Sequence, residues 1–136
     1  MAGIHFEYSN FKQLLQLNIG ISDRLDENRA ESFTILYCDL EDVEDTLISN
    51  SLQEILRTSD SIVNHGKDYF FVLPYTDKYG GNIVKGIFDE FFAKYLNSFL
   101  ISYPADGDDA DELIEILQNS VKTFCKKDLS YLDFLK

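Results

Sequence analysis

The 136-residue chain is expected to fold as one α/β (α+β) domain, with a βαββαβ core, an antiparallel sheet and flanking N- and C-terminal helices. Two patterns predict it. Short, nearly continuous runs of β-branched and aromatic residues mark strands. Between them lie longer stretches whose apolar residues recur every three to four positions, the spacing of a helix with one buried face. There is no tandem repeat, no low-complexity tract and nothing that marks a boundary, so residues 1–136 read as a single unit.

Residues 10–29 read as a first helix, capped by Ser9 or Asn10, with Phe11, Leu14, Leu15, Ile21 and Leu25 at helical spacing and Gly20 weakening its centre. Residues 32–39 (SFTILYCD) form an apolar run suited to a strand covered on both faces. Residues 40–45 are an acidic connection, and a helix then reaches about Leu56 with Leu47, Ile48, Leu52, Ile55 and Leu56 on one stripe. Two short strands follow, 60–64 and 69–73, joined by a hairpin turn at His65-Gly66-Lys67-Asp68. Pro74 stops the second. A long helix over 77–96 carries Ile83, Val84, Ile87, Phe88, Phe91, Phe92 and Tyr95 toward the core. Residues 98–103 (SFLISY) form another strand, 104–109 a polar, acidic loop, and 110–127 a last helix. The tail SYLDFLK reads as a strand or a further turn of helix. This order is the split βαβ, ferredoxin-like arrangement, which by itself leaves function open.

Composition narrows the function classes. Twelve Lys and Arg against 24 Asp and Glu leave a formal charge of −12, which makes a poor general binder of nucleic acid or of anionic membrane. No apolar run is long enough for a transmembrane helix, and the N-terminus MAGIHFEYSN lacks the basic and apolar regions of a signal peptide. A cytoplasmic location is expected, with Cys38 and Cys125 as buried free thiols. His5 and His65 are far apart in sequence, and no Cys or His stands at metal-ligand spacing, so neither a metal nor a cofactor is expected. Asp106, Asp108, Asp109, Asp111 and Glu112 miss the spacing of a calcium loop and suit a helix N-terminus better. Gly80-Gly81 lacks a phosphate-loop pattern and reads as a turn or helix-entry device.

Three segments carry a resemblance. Leu56-Arg57-Thr58-Ser59-Asp60 precedes the central hairpin, His65-Gly66-Lys67-Asp68-Tyr69-Phe70-Phe71-Val72-Leu73-Pro74 forms it, and Ser102-Tyr103-Pro104-Ala105-Asp106-Gly107-Asp108-Asp109-Ala110-Asp111-Glu112-Leu113-Ile114 leads into the last helix. Together they resemble the LRxxD segment, the signature hairpin and the YPxDGxDAxELL segment of the GGDEF domain, the diguanylate cyclase fold. The resemblance covers roughly residues 10–127 and implies a palm-like βαββαβ core.

The departures from that family bear on activity. Its active members carry in the signature turn a metal-binding acid, a catalytic acid and paired glycines that admit substrate phosphates. Aligned from Arg57 and Asp60, this chain has Gly66-Lys67-Asp68-Tyr69-Phe70 there; aligned backwards from Pro74, it has His65-Gly66-Lys67-Asp68-Tyr69. Under either alignment one acid and one glycine survive. Asp39 matches the family's first metal aspartate, but the loop that holds the guanine base is shortened, and Glu41, Asp42, Glu44 and Asp45 do not replace its base reader. Asp39 and Asp68 are therefore vestigial candidates for a two-metal site. Arg57 and Asp60 match the family's RxxD motif, which in the family binds cyclic di-GMP as a product-inhibition site; Glu54, one helical turn earlier, is a competing partner for Arg57. Lys126 and Lys127 fall near a phosphate-contacting lysine of the family's last helix. The resemblance thus implies a catalytically inactive GGDEF-like domain in bacterial signalling, not an enzyme, with a protein partner or a second copy as its binding partner. A cyclic di-GMP receptor using Arg57 and Asp60 is the alternative, and an active nucleotidyl cyclase a third reading. An exposed aromatic stripe on the helix over 77–96, or in the tail at Tyr131, Leu132, Phe134 and Leu135, would mark a protein interface.

Overall fold

The computed structural model describes residues 3–25 and 29–136. In chain order the described elements are β1 (Ile4–Phe6), α1 (Phe11–Arg24), β2 (Glu31–Asp39), α2 (Asp45–Ile55), β3 (Ser61–His65), β4 (Asp68–Pro74), α3 (Lys78–Phe92), β5 (Asn97–Pro104) and α4 (Ala110–Ser120). Short 3-10 turns at Tyr8–Asn10 and Ser130–Leu135 and a π turn at Val121–Cys125 complete the set.

One mixed five-stranded sheet, in the order β1-β3-β4-β2-β5, lies between two helical layers. β2 is paired antiparallel on both sides, with β4 and with β5, and β4 is paired antiparallel with β3. β1 joins the β3 edge in parallel. The wholly antiparallel sheet read from the sequence is corrected at that edge. The three residues of β1 are too few to carry a periodic signal, and they are held by register with β3, beginning with the Ile4 N–H on the Asp60 carbonyl at 2.9 Å.

The continuous apolar run of β2 has the cause inferred from sequence. Successive side chains point to opposite faces, and both faces are covered. Phe33, Ile35 and Tyr37 pack with α1, α4 and the C-terminal turns, while Leu36 and Cys38 pack with α2 and α3. Thr34, polar and fully buried between them, is satisfied by the Ser102 hydroxyl at 2.7 Å and the Thr76 carbonyl at 2.7 Å. Gly81 lets α3 cross this strand closely, because a Cβ there would come within 2.9 Å of Leu100 and 3.1 Å of Thr34. Gly80 donates its N–H to the Asp77 cap at 2.7 Å, so the glycine pair is the helix-entry device expected. Both cysteines are buried free thiols.

The outer edge of β5 is blunted against pairing with another strand. The Ser102 N–H donates to the Asp106 carboxylate, the Asp106 N–H returns to the Ser102 carbonyl, and the Cys125 thiol caps the Ser98 carbonyl.

Several expected boundaries move. α1 ends at Arg24 rather than running to residue 29, and Ile21 and Leu25, read at helical spacing, are partly exposed beside Phe33 and Pro74; residues 26–28 lie outside the described residues. α4 ends at Ser120, where a π turn takes over, and Lys126 closes it in the left-handed region at φ 60°. α3 stops at Phe92, with Ala93 in the left-handed region at φ 54°. The tail is a 3-10 turn. On α3, Phe88 and Phe92 are buried as expected, but Ile83 and Ile87 are exposed, as is Tyr95 beyond the helix end. No helix among the described residues is long and apolar enough to cross a membrane.

Candidate functional site

The hairpin between β3 and β4 is built on a two-residue turn. Gly66 takes φ 60° at its first central position, the conformation glycine adopts without strain, and His65 pairs directly with Asp68 across it. Asp68 opens β4 and lies directly opposite Asp39, the last residue of β2. The two acids singled out in the sequence are therefore neighbours at one end of the sheet.

The position between them is occupied by a side chain. Lys127, just past the π turn, places its Nζ 3.0 Å from Glu41 Oε2, 3.6 Å from Asp39 Oδ1 and 3.8 Å from Asp68 Oδ1. Partial burial works to lower the Lys127 pKa, but the hydrogen bond to Glu41 and the charges of Asp68 and Asp39 outweigh it and hold it above the ordinary lysine value. The ammonium is thus a fixed cation. Lys67 points away, to the Val43 carbonyl and to Asp45 at 2.9 Å. An open cleft of about 200 Å³ lies between Glu41, Lys67, Asp68 and Lys127.

Asp68 is also bound from below. Its Oδ1 accepts from the Tyr37 hydroxyl at 2.6 Å and its Oδ2 from the Tyr131 hydroxyl at 2.8 Å. Burial, and next the hydrogen bond to Asp68, push both phenols far above the ordinary tyrosine value, so they remain protonated donors. Tyr131 stacks on His65 at 3.8 Å, and Tyr8 meets His65 edge-on at 4.8 Å. This places the end of the chain against the hairpin. Asp39 Oδ1 accepts from the Glu41 N–H at 3.1 Å. Among the described residues no group of three or more His, Cys, Asp or Glu side chains is arranged to hold a metal ion.

The sequence singled out Asp39, Asp68 and, by position alone, Lys127. Tyr37 had no role there, Tyr131 was read only as part of an apolar tail that could mark an interface, and Glu41 only as an acid that does not replace a base reader. Tyr37 lies inside an apolar run where any aromatic reads as core, and Tyr131 reaches the site only because the chain reverses after the π turn. No local pattern carries either fact.

Arg57 and Asp60 lie at the opposite end of the sheet. Pro74, whose carbonyl Arg57 reaches, is six residues along β4 from Asp68, roughly 20 Å at the usual rise of an extended strand. Asp60 is 3% exposed. Its Oδ2 accepts the Arg57 backbone N–H at 2.8 Å, and its Oδ1 accepts the Arg57 guanidinium at 2.9 Å. The same Nη2 donates to the Pro74 carbonyl at 3.0 Å and the Thr76 hydroxyl at 3.1 Å. The arginine is therefore paired with Asp60, three residues on, and not with Glu54. Arg57 and Asp60 are brought together, but neither meets Asp39 or Asp68. Beside them an open cleft of about 340 Å³ is bounded by Arg29, Arg57, Tyr75 and the first turns of α3.

Chemically, the hairpin end holds three carboxylates gathered on one ammonium, and the far end holds a closed ion pair beside a cleft. No protein-family model matches the chain, and no curated protein matches it.

Proposed function

We propose that the chain is a catalytically inactive, GGDEF-like domain that works as a regulatory or protein-interaction module in bacterial signalling. Four of its strands support the finer fold assignment: β3-β4-β2-β5, all antiparallel, with α2 and α3 as crossovers on one face, is the sheet order of a ferredoxin-like palm. The observation that carries the functional reading is Lys127. Two-metal phosphoryl chemistry needs carboxylates converging on divalent ions about 4 Å apart. Here an ammonium lies within 4 Å of all three carboxylates at the hairpin end. The two-residue turn offers a single glycine to an approaching phosphate. The exposed apolar stripe on α3 supplies a surface for a protein partner.

The test is calorimetric titration of GTP with magnesium into the protein, followed by separation of nucleotides after long incubation. The reading predicts no heat of binding and no product. Saturable binding, or any cyclised or linked nucleotide, would overturn it.

A cyclic di-GMP receptor using Arg57 and Asp60 is the second reading. In its favour, Arg57 is half-exposed beside the cleft shared with Arg29 and Tyr75. Against it, both Asp60 oxygens are already bonded to Arg57, so a guanine edge would have to displace the arginine from a buried carboxylate.

A further inference from the structure

The outer face of α3 is apolar where an ordinary surface helix is polar. Tyr79, Ile83 and Ile87 are 77%, 50% and 44% exposed, and Tyr95, just beyond the helix end, is 87% exposed. Tyr95 is held in place, since the Lys85 ammonium, itself paired to Asp89 at 2.7 Å, lies 3.3 Å from its ring centroid. Gly86 sits in the same face, between the two isoleucines. A Cβ built there meets nothing within 4 Å, so no packing inside the chain calls for a glycine. In a helix interior it costs about 1 kcal/mol relative to alanine. A gap of this kind lets another backbone approach.

We infer that this face of α3 pairs antiparallel with the same face of a second copy of the chain. The inference rests on the interaction-module reading and names its partner. Three features favour a second copy. The exposed Ile83, Ile87 and Glu90 and the half-buried Gly86 are placed symmetrically about the point between Gly86 and Ile87, which a two-fold antiparallel helix pair requires. In that register Ile87 of each copy sits over Gly86 of the other, and Ile83 lies along the stem of Glu90. Tyr79 then reaches the end of the opposing helix. Charge points the same way. The chain carries −12, yet this face and the residues just beyond its two ends hold two acids, Asp77 and Glu90, against two bases, Lys78 and Lys94. Self-association here brings no large like charges together, whereas a strongly basic partner would find little to pair with. The footprint is small. Fifteen helical residues span about 22 Å, which places the contact at the low end of specific interfaces. The dimer is therefore weak and concentration-dependent.

Sedimentation equilibrium on the full chain tests it, with Gly86→Glu and Leu17→Glu as variants. Gly86→Glu puts its side chain into open space in the monomer, so folding is retained; a melting curve at low concentration checks this. Leu17→Glu changes an exposed leucine on α1, on the opposite helical layer. The wild-type chain is expected to approach twice its monomer mass reversibly between tens and hundreds of micromolar. Gly86→Glu should weaken association at least tenfold, and Leu17→Glu should leave it unchanged. As a second readout, Gly86→Cys should form a disulfide-linked dimer on mild oxidation, because both native cysteines are buried. A wild-type chain that stays monomeric throughout, a Gly86→Glu variant that still dimerises, or a Leu17→Glu variant that does not would each overturn the inference. None of these results depends on nucleotide. A monomer that also ignores GTP and magnesium refutes the dimer alone, whereas nucleotide binding refutes the inactive-module reading alone.

Discussion

Removing the Lys127 charge while keeping its stem, as in Lys127→Met, leaves Asp39, Glu41 and Asp68 facing one another with no cation. The cost follows from burial. A fully buried pair broken on one side costs about 3–5 kcal/mol, and a fully exposed pair about 0–1 kcal/mol. The side chains here fall between, with Lys127 at 26%, Asp39 at 17% and Asp68 at 12% exposed, and Glu41 largely in solvent. A loss of about 2 kcal/mol is expected. For a domain of this size that lowers Tm by roughly 7 °C. Thermal melting followed by circular dichroism at pH 7 and physiological salt reads it. Lys126→Met is the control: that side chain donates to the Thr123 carbonyl at the surface, and its loss should change Tm by less than about 2 °C. A second arm adds millimolar manganese or magnesium. Neither chain should gain stability, because the three carboxylates are not arranged to hold a metal ion. A Lys127→Met variant that melts with the wild type, or a wild type stabilised by the metal, would refute the claim that the lysine acts as the cation of this site.

Three other outcomes follow from the same geometry. Asp60→Ala strips the acceptor from the Arg57 backbone N–H and side chain at a buried position and should cost about 2 kcal/mol in chemical denaturation; Arg57→Ala, half in solvent, should cost less, and the reverse order would contradict the closed-pair description. Gly66→Ala should cost about 1 kcal/mol from backbone strain at φ 60°, since a Cβ there meets no atom. Burial, and next the hydrogen bond to Asp23, push Tyr103 up to about 12 from 10.0. Its contribution is complete below pH 10.0 and is lost as pH rises through about 12, because the unfolded chain ionises first. Lys127, also raised, loses its contribution in the same direction, above its ordinary value of 10.5. Stability measured against pH should therefore fall through this alkaline range, and Tyr103→Phe should flatten the fall.

The central strand shows what was legible in the sequence and why. β2 betrayed its two covered faces because burial on both sides leaves no polar alternation to read, and residues 33–38 are all buried. The Gly66 turn was legible because it is local; Arg57 and Asp60 were read as motif residues, with Glu54 as the competing partner of Arg57, whereas the structure pairs Arg57 with Asp60 itself. The outer face of α3 was misread for the opposite reason. Apolar residues at helical spacing signal burial, but they do not say whether this chain or another provides it. Lys127 reaches Glu41 across 86 residues of sequence. That contact depends on where the π turn and the left-handed Lys126 direct the chain, and neither has a composition signal. β1 was too short to register at all.

The most direct test of the inactive-module account is thermal melting with GTP and magnesium and, in parallel, with cyclic di-GMP, each at saturating concentration. A ligand at about 100 times its Kd adds roughly 2.7 kcal/mol of stability, about 9 °C for a domain of this size. The account predicts no shift with either. A shift with GTP and magnesium that requires Asp39 and Asp68 would contradict it outright, and a shift with cyclic di-GMP that vanishes in Arg57→Ala would replace it with the receptor reading.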